Sequence, residues 1–131
     1  MIFFSASSPL SAEKLLELAK ENSFLLLNPE KINCEEELLL AEKLTEISIK
    51  EKKAIAKTRE NEFLLWLSAK KDISNAFREY GFKSPEKILV ISFSQTKKQL
   101  LKMLEAKEKK LNLKKKATPL EIERISLSRV L

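Results

Sequence analysis

Apolar side chains along this chain fall into short runs and helical stripes that alternate strand, helix, strand, helix. Residues 1–5, Met-Ile-Phe-Phe-Ser, read as a first strand. Ser8-Pro9 or Ser11 then opens a helix to about residue 20, with Leu10, Leu15, Leu18 and Ala19 on one stripe. Residues 23–27 make a short strand closed by Asn28-Pro29. A strand–helix–strand unit of this length predicts a parallel, right-handed crossover. Asn33-Cys34-Glu35-Glu36 has the spacing of a capping box. The helix it opens runs to about residue 50 and turns Leu38, Leu39, Ala41, Leu44 and Ile47 inward.

A basic connector with Lys50, Lys52, Lys53, Lys57 and Arg59 follows. It leads into Phe63-Leu-Leu-Trp-Leu67, apolar all round, where periodicity leaves buried helix and strand both open. Asp72 can cap a helix carrying Ile73, Ala76, Phe77 and Tyr80, and Gly81 sits where a helix stops by taking a positive φ. Residues 87–94 read as a strand, and Thr96 caps a helix expected to reach residue 111 with Leu100, Leu104 and Leu111 inward. Thr118-Pro119 enters a last helix with Leu120, Ile122 and Ile125, and the tail 126–131 keeps Leu127, Val130 and Leu131. Neither a repeat nor a low-complexity linker divides the chain. Residues 1–131 therefore read as a single α/β domain, a mixed three- to four-stranded sheet packed with five or six helices.

Composition narrows the chemistry. The chain has 131 residues, 44% hydrophobic and 34% charged, enough for a core without staples. Its single glycine, against about nine at average usage, argues against a glycine-cradled phosphate site and makes Gly81 a structural anchor. Histidine is absent, which removes the commonest general base and metal ligand and every Ser-His or Cys-His nucleophile. With one cysteine, Cys34, neither an internal disulfide nor a structural zinc site is expected. The glutamates alternate with lysines on what read as exposed helix faces, so no carboxylate pair suggests itself for catalysis. The expectation is a non-enzyme without catalytic residue, metal or cofactor. The lone cysteine fits a cytoplasmic setting, and apolar runs no longer than the five residues 63–67 fall far short of the roughly 20 that span a membrane.

Charge is distributed unevenly. Residues 1–66 carry 9 Lys/Arg against 12 Asp/Glu, whereas residues 67–131 carry 16 against 7, for a total of +6. Two readings fit: a surface for a polyanion, nucleic acid above all, or a solvated Lys/Glu face of the kind found in heat-adapted proteins.

Four segments together resemble a known family. They are Phe24-Leu-Leu-Leu-Asn-Pro29, Lys53-Ala-Ile-Ala-Lys-Thr-Arg59 ahead of Glu62-Phe-Leu-Leu-Trp-Leu-Ser68, Asp72-Ile-Ser-Asn-Ala-Phe-Arg-Glu-Tyr-Gly-Phe82 with the strand after it, and Arg124-Ile-Ser126 with Val130-Leu131. In this order, across nearly the whole chain, they resemble the small KEOPS subunit that docks on the complex's atypical kinase, the PRPK-binding protein family. The resemblance implies a helix for residues 63–67. It also implies a non-catalytic accessory subunit that binds the kinase/ATPase subunit and, through it, serves the threonylcarbamoyltransferase subunit. Such a subunit helps capture the single-stranded 3′ end of tRNA for threonylcarbamoyl-adenosine (t6A) synthesis.

On that basis the candidate phosphate contacts are Lys52, Lys53, Lys57 and Arg59 on the connector, then Lys97, Lys98 and Lys102, then Lys114, Lys115 and Lys116. The candidate kinase-docking residues are Ile122, Ile125, Leu127, Val130 and Leu131, and Asn28, Pro29 and Gly81 are structural. The rival reading is a hydrophobic-docking adaptor with no nucleic-acid role, in which the lysines only solvate the surface.

Overall fold

The run Ile88-Leu-Val-Ile-Ser92 is buried at every position, and the sheet is built around it. In the computed structural model, which describes residues 1–111 and 118–129, the strands are β1 (Ile2–Ser7), β2 (Phe24–Leu27), β3 (Ile88–Ser92) and β4 (Lys107–Lys109). The helices are α1 (Ala12–Asn22), α2 (Glu35–Lys50), α3 (Arg59–Ser68), α4 (Ile73–Tyr80), α5 (Lys97–Met103) and α6 (Pro119–Ser126), with a 3-10 turn at Pro29–Lys31. Among the described residues this is an α/β fold of six helices and a four-stranded antiparallel sheet. Backbone contacts group it into two compact units, Met1–Lys31 with Gly81–Asn112, and Ile32–Tyr80 with Leu113–Leu131.

The first unit holds the sheet, in the order β2-β3-β1-β4. β1 and β2 run the same way, as a crossover through α1 requires, but they are not neighbours. β3 lies between them, pairing Ile91 with Phe3 on one side and with Leu25 on the other. The expected mixed sheet is therefore antiparallel throughout. A strand with five consecutive buried residues belongs at the centre, and the centre was the place β1 and β2 would have shared.

β4 has no counterpart in the hydrophobic pattern. The helix opened by Thr96 does begin with a capping box to Gln99, but it ends at Met103 rather than near residue 111. Glu105 takes a φ of 51°, and the chain turns back to pair Lys107, Glu108 and Lys109 with Ser7, Ala6 and Ser5 of β1. Leu100 and Leu104 are buried as expected, and the Ser8 hydroxyl donates to the Leu104 carbonyl at 2.7 Å, satisfying a buried acceptor at the helix end.

Gly81 does not take a positive φ. Among the described residues the left-handed positions belong to Ser23, Lys52, Ala69 and Glu105, of which Ser23 and Ala69 are the C-caps of α1 and α3. Gly81 instead forms a β-bridge with Leu27, and the Phe82 N–H donates to the Leu26 carbonyl at 3.3 Å. The glycine thus serves close backbone approach along the edge of β2 that β3 leaves open. Asn28 closes β2 by accepting the Glu30 N–H at 3.1 Å, and Pro29 starts the 3-10 turn.

In the second unit α3 is the buried centre. Every residue from Glu62 to Ser68 is buried, and the ambiguous run is a helix, as the resemblance implies. α2 meets it with Leu38 and Ala41 inward as expected, but with part of its expected face turned away. Its buried positions are Glu37, Leu38, Ala41, Thr45 and Ser48, whereas Leu39 and Ile47 are 51% and 41% exposed. Small and hydroxylated residues fill that face because their hydroxyls are satisfied there: Thr45 donates to the Ala41 carbonyl at 2.6 Å and Ser48 to Glu62 at 2.7 Å. The expected capping box at Asn33 does not open α2. Cys34 is the N-cap and makes no side-chain capping bond. Asp72 accepts the Ser74 N–H at 3.1 Å at the start of α4, and Thr118 with Glu121 forms a capping box for α6.

Candidate partner-binding surfaces

The last residues of the chain carry two arginines, and each takes hold of a buried glutamate. Arg124, on α6, donates to the Leu67 carbonyl at 3.1 Å and to Glu37 Oε2 at 3.5 Å, with its guanidinium 6.0 Å from the Tyr80 ring centre. Arg129 donates to Glu62 Oε2 at 2.7 Å and lies 3.9 Å over the Trp66 ring. The indole N–H of Trp66 donates to Ser48, whose hydroxyl is also on Glu62. Neither glutamate fits the expectation that the acids sit on exposed faces: Glu37 is 1% and Glu62 0% exposed.

Glu62 reaches further. Its Oε1 accepts the backbone N–H groups of Ile55 at 3.0 Å and Ala56 at 3.1 Å, in the middle of the basic connector. Around that fixed point Lys52, Lys53 and Lys57 are exposed, with Lys52 at a φ of 59° directly after α2. Lys53 has Glu51 at 3.7 Å, and Arg59, the first residue of α3, is paired with Glu46 of α2. Lysines with exposed ammonium groups on one short loop can follow a flexible line of phosphates.

The other described candidate cations belong to the first unit. Lys97 pairs with Glu108 at 2.8 Å and lies 6.0 Å from the Phe4 ring centre, and Lys98 and Lys102 are exposed one turn apart on α5. Lys114, Lys115 and Lys116 lie outside the described residues, as do Val130 and Leu131. Of the candidate docking residues, Ile125 is fully buried, Ile122 is half-buried and Leu127 is 45% exposed.

Exposed apolar side chains are concentrated. Among the described residues the large ones are Leu39, Ile47, Ile55, Leu120 and Leu127, all in the second unit, on α2, the connector and the ends of α6. Beside them Leu44, Ile47, Trp66 and Arg129 line a small cleft with Lys53 at its edge.

Cys34 forms a separate cluster. Its thiol lies 3.7 Å from Glu37 Oε1 and 3.5 Å from Glu121 Oε2, and the three potential ligand atoms are within 4.8 Å of one another. Burial and the two carboxylates push the thiol up to about 11, so it keeps its proton at neutral pH and acts as a hydrogen-bond donor. Burial likewise pushes the Glu37 carboxyl up, with the Arg124 charge opposing it.

The glutamate–arginine pairs are what the sequence reading overlooks. Their signal is arginine itself: in a chain that uses lysine almost everywhere, the four arginines include Arg59, Arg124 and Arg129, each paired with a glutamate. A search of curated proteins finds no match. A protein-family model described as kinase binding protein CGI-121 matches residues 8–129.

Proposed function

Because this chain belongs to the CGI-121 family of kinase-binding proteins, we propose that it is the non-catalytic KEOPS subunit that docks on the kinase/ATPase subunit and recruits tRNA for t6A synthesis. The observation that carries the docking half is the gathering of Leu39, Ile47, Ile55, Leu120 and Leu127 in one unit. Scattered exposed apolar residues need no explanation, but three leucines and two isoleucines on two helices and the connector suit burial against a partner. Ile125 is fully buried and so belongs to the core rather than to this surface, while Leu127 is exposed and available to make contact.

The tRNA half rests on the connector. Lys52, Lys53 and Lys57 are exposed on a loop whose backbone is tied down, so cations there are held ready for a single strand. With no aromatic platform among them, binding would read the backbone and be steeply dependent on salt. The adaptor reading without nucleic acid is favoured by one observation: Lys53, Arg59 and Lys97 already have glutamate partners.

Titrating the purified chain with intact tRNA, and with tRNA trimmed of its 3′ single strand, at two salt concentrations separates the readings. Binding that is lost on trimming and weakens with salt establishes tRNA recruitment. Absence of binding at low salt leaves the docking role alone, to be measured directly against the kinase subunit.

A further inference from the structure

Glu62 divides its hydrogen bonds between two segments that are far apart in sequence. Oε1 takes the N–H groups of Ile55 and Ala56, and Oε2 takes the Ser48 hydroxyl and Arg129. Ile55 and Ala56 lie between Lys53, whose own N–H donates to the Ser48 carbonyl at 2.8 Å, and Lys57, so the carboxylate fixes the stretch of backbone between these two lysines. That carboxylate is charged at neutral pH. Burial alone would push it up, but donation from Arg129, Ser48 and Ala56 outweighs burial and holds it below the usual carboxylate range.

Arg129 is the cation in contact with that buried charge. Among the described residues its Nε and Nη2 are buried without an acceptor, and its grip on the unit is the donation to Glu62 and the face of Trp66. It also stands two residues beyond Leu127, which is exposed. A partner that draws this segment toward itself draws Arg129 as well.

We propose that Glu62 and Arg129 form a latch through which the C-terminal segment sets the conformation of the 51–58 connector. Glu62 is the positioning residue, and Arg129 is the counter-charge that keeps it inside. With Arg129 withdrawn, a buried carboxylate is left without its cation and turns toward water, releasing Ile55 and Ala56. The consequence for RNA rests on the functional reading above, but the latch itself does not.

The test is amide hydrogen exchange on the full chain for three proteins: wild type, Arg129→Gln, and the double variant Glu62→Gln with Arg129→Gln. The double variant removes both charges yet keeps a side-chain carbonyl that can accept from the loop. In Arg129→Gln the Ile55 and Ala56 amides should exchange about tenfold faster or more, while Val90 and Ile91 in β3 keep wild-type rates. The double variant should regain most of the protection. Unchanged rates at Ile55 and Ala56, or equal acceleration at all four amides, would overturn the latch. A single-stranded RNA oligonucleotide titrated into the same proteins at two salt concentrations separates this from the functional reading. Weaker, less salt-dependent binding by Arg129→Gln, restored in the double variant, supports the latch acting on an RNA surface. Unchanged RNA binding despite lost protection leaves the latch standing and overturns the phosphate role of the connector.

Discussion

Glu37 and Glu62 are both buried glutamates held by arginines from the end of the chain, and their carboxyls are displaced in opposite directions. Burial pushes both up. At Glu37 the Arg124 nitrogen is 3.5 Å away and Glu121 adds like charge nearby, so burial prevails. At Glu62 the donors are closer and more numerous, with Ser48 and Arg129 both at 2.7 Å, and they prevail.

The two carboxyls therefore respond to pH with opposite signs. A raised carboxyl contributes stability that is complete below its unfolded value, near 4.5, and is lost as pH climbs through the folded value. A lowered one contributes stability that is complete above 4.5 and is lost as pH falls through its folded value. Thermal melts across roughly pH 3 to 7 should show Glu37→Gln removing a decline on the upper side and Glu62→Gln removing a decline on the acid side. At neutral pH Glu62→Gln should cost about 2–4 kcal/mol, since it strands Arg129, while Glu37→Gln should cost about 1 kcal/mol or less. Equal effects of the two variants would mean the burial–donor balance is wrongly drawn.

The C-caps of α1 and α3 place Ser23 and Ala69 at φ values of 56° and 58°, where a Cβ is unfavourable. Ser23→Gly and Ala69→Gly should each raise stability by about 0.5–1 kcal/mol, the gain from relieved strain exceeding the added freedom of the unfolded chain. Urea denaturation midpoints measure this. A loss in both variants would contradict the left-handed caps.

Cys34 should be unreactive in the folded protein. Its thiol is fully buried and pushed up to about 11, so a thiol reagent at mildly alkaline pH should label it only as fast as the chain opens. Labelling that tracks denaturant concentration confirms this, whereas rapid stoichiometric labelling without denaturant refutes it.

Leu127 and Ile125 are two residues apart and should behave oppositely. Leu127→Asp should leave the unfolding free energy within about 0.5 kcal/mol of wild type and weaken kinase binding about tenfold or more. Ile125→Ala should cost about 2–5 kcal/mol of stability through loss of core packing. Kinase binding that survives Leu127→Asp moves the docking surface elsewhere.

What the sequence made legible were elements with strong apolar or capping signals: β3, the helix entries at Thr96 and Thr118, and the Asp72 cap. The buried face of α2 was legible only in part: Leu38 and Ala41 are buried as expected, but Leu39 and Ile47 are exposed and packing selected Thr45 and Ser48, whose small size and satisfied hydroxyls suit close approach to α3. β4 was invisible because Lys107-Glu108-Lys109 is exposed throughout, held by backbone pairing to β1 and by the Lys97–Glu108 ion pair rather than by apolar side chains. Gly81 does follow the end of α4 at Tyr80, but without the positive φ expected there, and the left-handed positions among the described residues went to others. The connector was correctly marked as basic, but nothing local reveals that its backbone is tied to Glu62.

Strand order also sets a timetable for synthesis. β1 and β2 leave the ribosome without a sheet neighbour, because β3 must lie between them and is separated from β2 by the whole of α2, α3 and α4. The α2–α3 and α3–α4 packings join elements consecutive in the chain and can form in that interval. The sheet then forms late, on the arrival of one strand that pairs with both, and β4 follows on the other edge of β1. Until then Phe24-Leu-Leu-Leu27 is an unpaired apolar strand, and that interval is when the growing chain is most open to aggregation.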